Sequence, residues 1–271
     1  MSLAAPVLKW PGAKWRIADR VISNFPAHGV YVEPFFGSGA IFFRKTPADV
    51  ETINDIDGEV VNLFRVIRDA PQELCALLEM TPFSREEYED AYDYEDNPIA
   101  RAGNFLVRTW QGYGGRTATH PPWADDRTNK VFRLRYWNML PERIRYIVER
   151  LKMVQIEHMD ARELIPRYNN SDTLLYVDPP YPKQARQSGR NFYAAEMNKR
   201  QDHLVLLELC LKHRGYCVIS TYPNELYDEI LDGWEKQCFQ VATNNSGSAT
   251  EVIYMNPRSC REMSLFSEVS P

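Results

Sequence analysis

The stretch Asp178-Pro179-Pro180-Tyr181 carries the residue types best suited to chemistry in this sequence of 271 residues. It follows an apolar run over residues 174–177 that predicts a fully buried strand. Proline cannot donate to a sheet ladder, so the strand ends at Asp178, at the carboxyl end where open α/β sheets bind ligands. The Asp178 carboxylate and the Pro179 carbonyl can accept hydrogen bonds, and Tyr181 can stack on a flat ring. The stretch therefore indicates a site that grips an exocyclic amine on a planar ring, although a capped Pro-Pro turn is the structural alternative.

Two glycines in the sequence Phe-Phe-Gly-Ser-Gly, at residues 35–39, form a second candidate binding element. This element follows a strand predicted over residues 30–35, and a helix is predicted to follow it. Glycine allows the backbone to pass close to a ligand at the amino terminus of a helix. The dinucleotide fingerprint G-x-G-x-x-G is excluded, because Phe42 stands where its third glycine would be.

Two acids, Asp55 and Asp57, end a second predicted strand that begins at Glu51. An acid in this place accepts hydrogen bonds from ribose hydroxyls in nucleotide-binding α/β folds. A helix is predicted from Asp57 to Arg68, because apolar residues recur there at helical spacing: Val60, Leu63, Phe64 and Ile67. Asp57 fits the N-cap of that helix, which leaves Asp55 as the candidate for the ribose.

Several of these stretches resemble the motifs of one known family. The Asp-Pro-Pro-Tyr sequence after a buried strand is similar to the catalytic motif of DNA adenine-N6 methyltransferases. The sequence Lys-Trp-Pro-Gly-Ala-Lys at residues 9–14 resembles the amino-terminal motif of the Dam-like, alpha-class members, and residues 35–39 match their cofactor loop. Residues 251–256 resemble their closing strand. The resemblance covers residues 8–70 and 153–256, with the motifs in the order that the family has.

The resemblance implies that S-adenosylmethionine is the cofactor. Trp10 would hold the sulfonium cation against its ring face, and Lys14 would pair with the methionine carboxylate. The other residues that the resemblance assigns to the cofactor are Phe35, Gly37, Gly39, Asp55 and Asp178.

The same resemblance implies the catalytic roles of Asp178, Pro179 and Tyr181. Hydrogen bonds from an adenine amine to Asp178 and to the Pro179 carbonyl would localise the nitrogen lone pair for in-line attack on the methyl group. No covalent enzyme intermediate is needed, so no nucleophilic cysteine is expected. The amine is out of reach inside a duplex, so the base must be flipped out, and Tyr181 would stack on it.

The alternation of strands and helices stops at residues 71–152, which have helix-like, charged and aromatic sequence. Residues 101–152 contain 11 Lys and Arg against 4 Asp and Glu, whereas residues 71–100 contain 1 Arg against 9 acids. Position in the chain and a glycine-rich basic loop resemble the family's target-recognition domain. The candidates for contact with DNA are Arg108, Gln111, Arg116, Arg133 and Arg135. A solvated helical subdomain is the structural alternative.

Together the motifs and the resemblance imply an α/β fold, with a Rossmann-like seven-stranded methyltransferase sheet and an inserted, mostly helical target-recognition domain. The catalytic domain would comprise residues 1–70 and 153–256, and the inserted domain residues 71–152. Residues 257–271 are expected to form a frayed tail.

The second half of the catalytic domain carries two further candidate elements. A strand predicted to end at Asp160 precedes a helix, so Asp160 either contacts the cofactor adenine or caps that helix. The basic segment from Lys183 to Arg200 is predicted to be a lid that touches the DNA backbone. Regular helices and strands are predicted to follow as far as residue 256.

Composition narrows the class of protein further. The hydrophobic fraction of 44% is ordinary for a globular protein, and no apolar run approaches the roughly 18 residues of a membrane span. Five cysteines without a C-x-x-C pair fit a reducing cytoplasm, and five scattered histidines predict no metal site. The net charge of −5 hides a basic stretch suited to nucleic acid.

The sequence thus predicts a cytoplasmic, monomeric enzyme that acts on double-stranded DNA without a metal or a membrane. It would transfer a methyl group from S-adenosylmethionine to the N6 amine of a flipped-out adenine. The alternatives are a methyltransferase of the same fold acting on RNA adenine or cytosine N4, and a catalytically silent DNA-binding module. Aspartate at position 178, rather than serine or asparagine, favours adenine in DNA.

Overall fold

A computed structural model describes residues 6–125, 133–182, 193, 196–242 and 248–260. The strands in this part of the chain are β1 (Val30–Glu33), β2 (Val50–Asn54), β3 (Val154–Glu157), β4 (Thr173–Val177), β5 (Tyr216–Thr221), β6 (Glu235–Ala242) and β7 (Ser248–Met255). The first helices are α1 (Ala18–Ile22), α2 (Gly58–Asp69), α3 (Pro71–Met80), α4 (Arg85–Asp90) and α5 (Pro98–Gln111). The later helices are α6 (Arg133–Asn138), α7 (Leu140–Leu151), α8 (Ala161–Arg167), α9 (Arg200–Leu211) and α10 (Glu225–Ile230).

The seven strands form one mixed sheet in the order β3-β2-β1-β4-β5-β7-β6. The first five strands along the chain pair in parallel, and β7 lies antiparallel between β5 and β6. The strand order reverses between β1 and β4, where open α/β sheets bind their ligands. The α/β methyltransferase-type sheet predicted from the sequence is confirmed.

Strand β4 lies in the middle of the sheet and is buried on both faces. Leu174 and Tyr176 point into a core formed with the helices that follow β2, whereas Leu175 and Val177 point into a core formed with α8, α9 and α10. A strand between two helical layers buries both of its faces, so the run is apolar at every position and does not alternate with polar residues. The buried strand that the sequence predicts is confirmed.

The described part of residues 71–151 contains the five α-helices α3 to α7, and α5 and α7 pack on α2. Apolar side chains of α3, α5 and α7 belong to the same core as Tyr31 of β1 and Ile53 of β2. The helical content predicted for this segment is therefore observed, and the segment shares a core with one face of the sheet. That this segment is a separate target-recognition domain stays a prediction.

Three local predictions need correction. Residues 40–44 form turns instead of the helix expected after the glycine loop, with hydrogen bonds from Phe43 N to Gly39 O and from Arg44 N to Ile41 O. Strand β3 ends at Glu157, before the predicted end at Asp160.

The predicted frayed tail is the third case. Residues 257–260 form a helical turn, because the Asn256 side chain accepts hydrogen bonds from the Ser259 backbone and hydroxyl. Residues 261–271 lie outside the described part of the chain, as does most of the lid predicted from Lys183 to Arg200.

Candidate active site

A cleft opens at the carboxyl ends of β1, β2 and β4. Eight of the residues predicted for catalysis or cofactor binding line it: Trp10, Lys14, Phe35, Gly37, Asp55, Asp178, Pro179 and Tyr181. Motifs that lie far apart in the sequence therefore meet at one place.

Asp178 follows β4 directly, and its side chain is 18% exposed. One carboxylate oxygen lies 2.9 Å from the Lys14 ammonium, and the other accepts a hydrogen bond of 3.0 Å from the Tyr181 hydroxyl. Burial raises the pKa of Asp178, and the positive charge of Lys14 and these hydrogen bonds oppose that rise. The carboxylate is thus an acceptor held in a fixed orientation at the cleft.

Lys14 opens a short 3-10 helix, Lys14–Arg16, and its side chain is only 4% exposed. Its ammonium also donates to the Gly12 carbonyl at 2.8 Å and lies 4.9 Å from the centre of the Tyr181 ring. Burial alone would lower the pKa of Lys14, but the carboxylates of Asp178 and Glu251 outweigh it and raise that pKa. The structure therefore directs the Lys14 charge at Asp178, whereas its predicted pairing with a cofactor carboxylate stays a prediction.

Glu251 in β7 is a member of the same group that the sequence reasoning missed. It is 6% exposed, one of its carboxyl oxygens lies 2.9 Å from the Tyr181 hydroxyl, and the Lys14 ammonium is 3.9 Å away. We call Lys14, Asp178, Tyr181 and Glu251 the carboxylate cluster. A charged residue directly before the apolar run of residues 252–255 was the sequence signal for it.

The glycine turn after β1 connects Trp10 with Asp55. Gly37 has a φ of +50°, and a Cβ built on it would lie 2.7 Å from Trp10 Nε1. Its N–H donates to one Asp55 oxygen at 2.8 Å, and the Asp57 N–H donates to the other at 2.9 Å. Burial raises the pKa of Asp55 to about 7. The indole ring, the turn and the carboxyl group therefore occupy mutually fixed positions along the cleft.

Gly39 is the one predicted cofactor residue that does not line the cleft. It also has a positive φ, of +67°, and a Cβ there would lie 2.5 Å from the Phe36 ring and 2.7 Å from the Phe43 ring. These close contacts assign Gly39 a packing function beneath the turn. A direct contact between Gly39 and a cofactor stays untested.

Two predicted helix caps are present at the cleft. The Asp57 carboxylate accepts from Glu59 N at the start of α2, and the Asp160 carboxylate accepts from Arg162 N at the start of α8. Both Asp57 and Asp160 also line the cleft. Both residues are therefore helix caps. The sequence favoured this function for Asp57 and left it open for Asp160.

Comparison with known proteins adds the identity of the family. The family model of the D12 class N6 adenine-specific DNA methyltransferases matches residues 10–245. The chain belongs to this family. The enzyme is therefore an adenine-specific DNA methyltransferase, as the resemblance of its motifs implied, and it acts on DNA with a methyl donor.

Curated relatives cover most of the enzyme at low sequence identity. It is 24% identical to the type II methyltransferase M1.LlaDCHI of Lactococcus lactis subsp. cremoris, over 93% of this chain and 95% of the relative. It is 24% identical to the DNA adenine methylase of Haemophilus influenzae, over 84% and 83% of the two chains. It is 23% identical to the type II methyltransferase M.MjaIII of Methanocaldococcus jannaschii, over 84% and 88%.

Two of the residues predicted to contact DNA are engaged inside the enzyme. Gln111 is completely buried, its amide group donates to the Pro82 carbonyl, and its oxygen accepts from Trp123 Nε1. Arg108 pairs with Glu59 at 2.8 Å and donates to a carbonyl at the end of α4. These contacts favour structural roles for both side chains, since a base contact would require breaking them.

The other three residues predicted to contact DNA stay predictions. Arg116 follows the glycine-rich turn after α5 and is half-buried, and Arg133 at the start of α6 donates to the Asp125 carbonyl. Arg135 is exposed two positions further along α6. None of the three lines the cleft.

Glu33 at the end of β1 is a further cleft residue to which the sequence reasoning gave no function. It is 2% exposed, and its carboxyl group accepts a hydrogen bond of 2.7 Å from the Tyr31 hydroxyl. Burial raises the pKa of Glu33 to about 8. The signal for it was an acid at the end of a buried strand before a proline, the same signal that identified Asp178.

Metal-binding groups and membrane-spanning helices are both absent from the residues described. No group of three or more His, Cys, Asp and Glu side chains there could hold a metal ion. No helix in those same ranges has the length and apolarity needed to cross a membrane.

Proposed function

We propose that the enzyme transfers the methyl group of S-adenosylmethionine to the N6 amine of an adenine flipped out of double-stranded DNA. The observation that carries this proposal is the position of Asp178, at the central strand end of a cleft that also contains Trp10, Gly37 and Asp55. An acceptor for the amine and the predicted cofactor contacts thus share one continuous space. Because the substrate is DNA, we place the enzyme in the cytoplasm.

The chemistry of the cleft suits S-adenosylmethionine. Bound there, S-adenosylmethionine would supply an electrophilic methyl group on a sulfonium cation. The Trp10 ring offers a π face to a cation, and the carboxyl groups of Glu33 and Asp178 at the cleft add negative potential when they are ionised. Asp55 stands at the end of the second strand, where nucleotide-binding folds contact the ribose.

Asp178 and Pro179 would activate the adenine amine by accepting its two hydrogens. The lone pair of this amine is delocalised into the ring, so the nitrogen is a poor nucleophile. Hydrogen bonds to a carboxylate and to a main-chain carbonyl favour a pyramidal nitrogen with a localised lone pair. Because Lys14 and Tyr181 hold the carboxylate in place, little reorganisation is needed when the nitrogen attacks.

Tyr181 would stack on the flipped base and offset part of the cost of opening the duplex. Extrusion of a base costs a few kcal/mol, and stacking on an aromatic side chain returns roughly 1–3 kcal/mol. Tyr181 is 8% exposed and packs edge-on against Tyr222, with ring centres 4.5 Å apart. A rigid aromatic pair of this kind limits the orientations that a bound base can take.

Arg116, Arg133 and Arg135 are the residues that we propose for contact with the DNA backbone. They belong to the basic stretch of residues 101–152, on the helical segment that packs over one face of the sheet. Basic side chains neutralise phosphates and position the duplex, whereas sequence is read at the base edges.

The reaction and its substrate can be tested in one assay. The purified enzyme is incubated with methyl-tritiated S-adenosylmethionine and with duplex DNA or RNA of matched sequence, and the labelled nucleoside is identified by chromatography. We expect label in N6-methyladenine from duplex DNA. Label in N4-methylcytosine or only in RNA would select the methyltransferase alternative, and absence of any label would contradict the proposal.

A further inference from the structure

The Tyr181 hydroxyl lies between the carboxyl groups of Asp178 and Glu251. It is 3.0 Å from Asp178 Oδ1 and 2.9 Å from Glu251 Oε2, and both distances are within hydrogen-bonding range. A phenol has one proton to donate. If both carboxyl groups were ionised, only one could accept that proton, and the other would face the phenol oxygen without a hydrogen between them. The contact pattern is satisfied when one carboxyl group is protonated and donates to the phenol oxygen.

The charges of the carboxylate cluster also favour one proton shared by the two carboxyl groups. Lys14 supplies one positive charge, and Asp178 and Glu251 would supply two negative charges if both were ionised. Two carboxylates that share a buried site raise the pKa of one of them, because burial and mutual repulsion disfavour the second charge. One proton on the pair leaves the cluster neutral.

Position relative to Lys14 decides which carboxyl group holds this proton. The Lys14 ammonium is 2.9 Å from Asp178 but 3.9 Å from Glu251, so it stabilises the ionised form of Asp178 more strongly. The Glu251 side chain is 8% exposed, compared with 18% for Asp178. Burial and the nearby charge of Asp178 raise the pKa of Glu251.

Within the described residues, Lys14 is the cation that acts on Glu251. The other titratable groups that interact with the cluster are Glu33, Tyr176, Tyr222 and Tyr227, and none of them can carry a positive charge. On the β6 side the register partner of Glu251 is Phe239, which does not titrate.

We propose that Glu251 is a protonated carboxyl group that donates to Tyr181, whose hydroxyl donates in turn to Asp178. This chain of hydrogen bonds keeps Asp178 as the anionic acceptor for the target amine and fixes the orientation of its carboxylate. Glu251 is therefore a positioning residue that acts through Tyr181. Its role in the reaction rests on the proposed function, whereas its protonation does not.

Protonation of Glu251 predicts how the rate of methyl transfer depends on pH. Ionisation of Glu251 at higher pH removes the proton that it donates and makes Tyr181 divide its single proton between two carboxylates. The rate of methyl transfer should therefore fall as pH rises through the pKa of Glu251. Glutamine cannot ionise and can still donate from its amide, so Glu251→Gln should lose this alkaline limb.

The kinetic test compares Glu251→Gln and Glu251→Ala with the wild-type enzyme in single-turnover methyl transfer across the pH range. We expect Glu251→Gln to retain a rate within a few-fold of wild type at neutral pH and to lack the alkaline fall. We expect Glu251→Ala to fall by about tenfold or more in kcat, because Tyr181 loses its partner. Glu229→Gln on the exposed side of α10 is the matched control and should retain the wild-type profile. Equal loss of activity in both Glu251 variants would overturn the inference.

An infrared measurement on the enzyme without substrate separates the two proposals. With isotope-labelled glutamate, the difference between wild type and Glu251→Gln at pH 7 should contain the carbonyl stretch of a protonated carboxyl group. If this band is present but no adenine is methylated, the proposed function fails and the protonation stands. If adenine is methylated but the difference shows only an ionised carboxylate, the Glu251 inference fails and the proposed function stands.

Discussion

At the scale of single residues, the cleft is built from carboxyl groups that the fold removes from water. Glu33 and Asp55 stand at the ends of neighbouring parallel strands, and burial raises the pKa of Glu33 to about 8 and that of Asp55 to about 7. Acids with such values titrate near neutral pH, as groups at functional sites often do. The cleft can therefore change its charge within the range in which the enzyme works.

The raised pKa of Glu33 predicts that the free energy of unfolding decreases as pH rises from 4.5 to about 8. The folded enzyme retains a proton on Glu33 that the unfolded chain releases above its ordinary pKa of 4.5. The contribution to the free energy of unfolding is complete below that value and is lost as pH rises toward about 8. In Glu33→Gln we expect the fall in the free energy of unfolding between pH 5 and 8 to shrink by about 2–4 kcal/mol. Denaturant titrations of both proteins measure this, and identical pH slopes would contradict it.

Single residues could be predicted from the sequence where a local pattern identified them. Asp178 and Asp57 could be predicted, because one follows a buried strand and the other precedes a helix. The contact between Glu251 and Tyr181 could not be predicted, because 70 positions separate the two residues and the antiparallel insertion of β7 brings them together. The pairing of Lys14 with Asp178 could not be predicted either, because these residues are also far apart in the sequence.

At the scale of elements, the turn after β1 is the point where backbone geometry controls the cleft. The turn brings the backbone of Gly37 against the Trp10 indole, leaving no space for a side chain. Sequence reasoning found this turn and the strand before it, because glycine spacing and apolar runs are local. It misplaced a helix at residues 40–44, where four large side chains, Phe36, Ile41, Phe42 and Phe43, pack around an irregular set of turns.

A paired glycine substitution tests the function of this turn. Gly37→Ala and Gly233→Ala both place alanine at a positive φ, of +50° and +84°, which costs about 1–2 kcal/mol of stability in each case. Only Gly37→Ala also brings a Cβ to 2.7 Å from Trp10, whereas nothing lies within 4 Å at position 233. We expect the affinity for S-adenosylmethionine, measured by calorimetry, to fall by about tenfold or more in Gly37→Ala alone. Equal affinities in the two variants would exclude the turn from the binding site.

At the scale of the whole molecule, a sheet of seven strands supports both the cleft and a basic helical segment. A buried ion cluster helps join them, since Arg150 of α7 and Lys45 both pair with Glu51 of β2. Sequence reasoning separated residues 71–152 by their composition, and it could not detect that their apolar faces complete the core of the sheet. Helices that share a core with the sheet are suited to hold DNA at a fixed distance from the cleft.

The basic segment predicts how binding to duplex DNA depends on salt. We expect the logarithm of the affinity to fall linearly with the logarithm of salt concentration, as counterions are released from neutralised phosphates. Arg135→Ala should reduce the slope by about one, which is the effect of one lost phosphate contact. Lys212→Ala, just after α9 on the opposite face of the sheet, is the control and should leave the slope unchanged. Fluorescence anisotropy measures the slopes, and a flat dependence in wild type would remove this segment from the DNA interface.

The central claim is that Asp178 is the acceptor that activates the adenine amine. The most direct measurement is the single-turnover rate of methyl transfer to duplex DNA by Asp178→Ala, with thermal unfolding as the control for folding. We predict that the rate falls by about a thousandfold or more while the variant stays folded, because the amine loses its charged acceptor. A folded Asp178→Ala variant that methylates adenine at the wild-type rate would contradict the account.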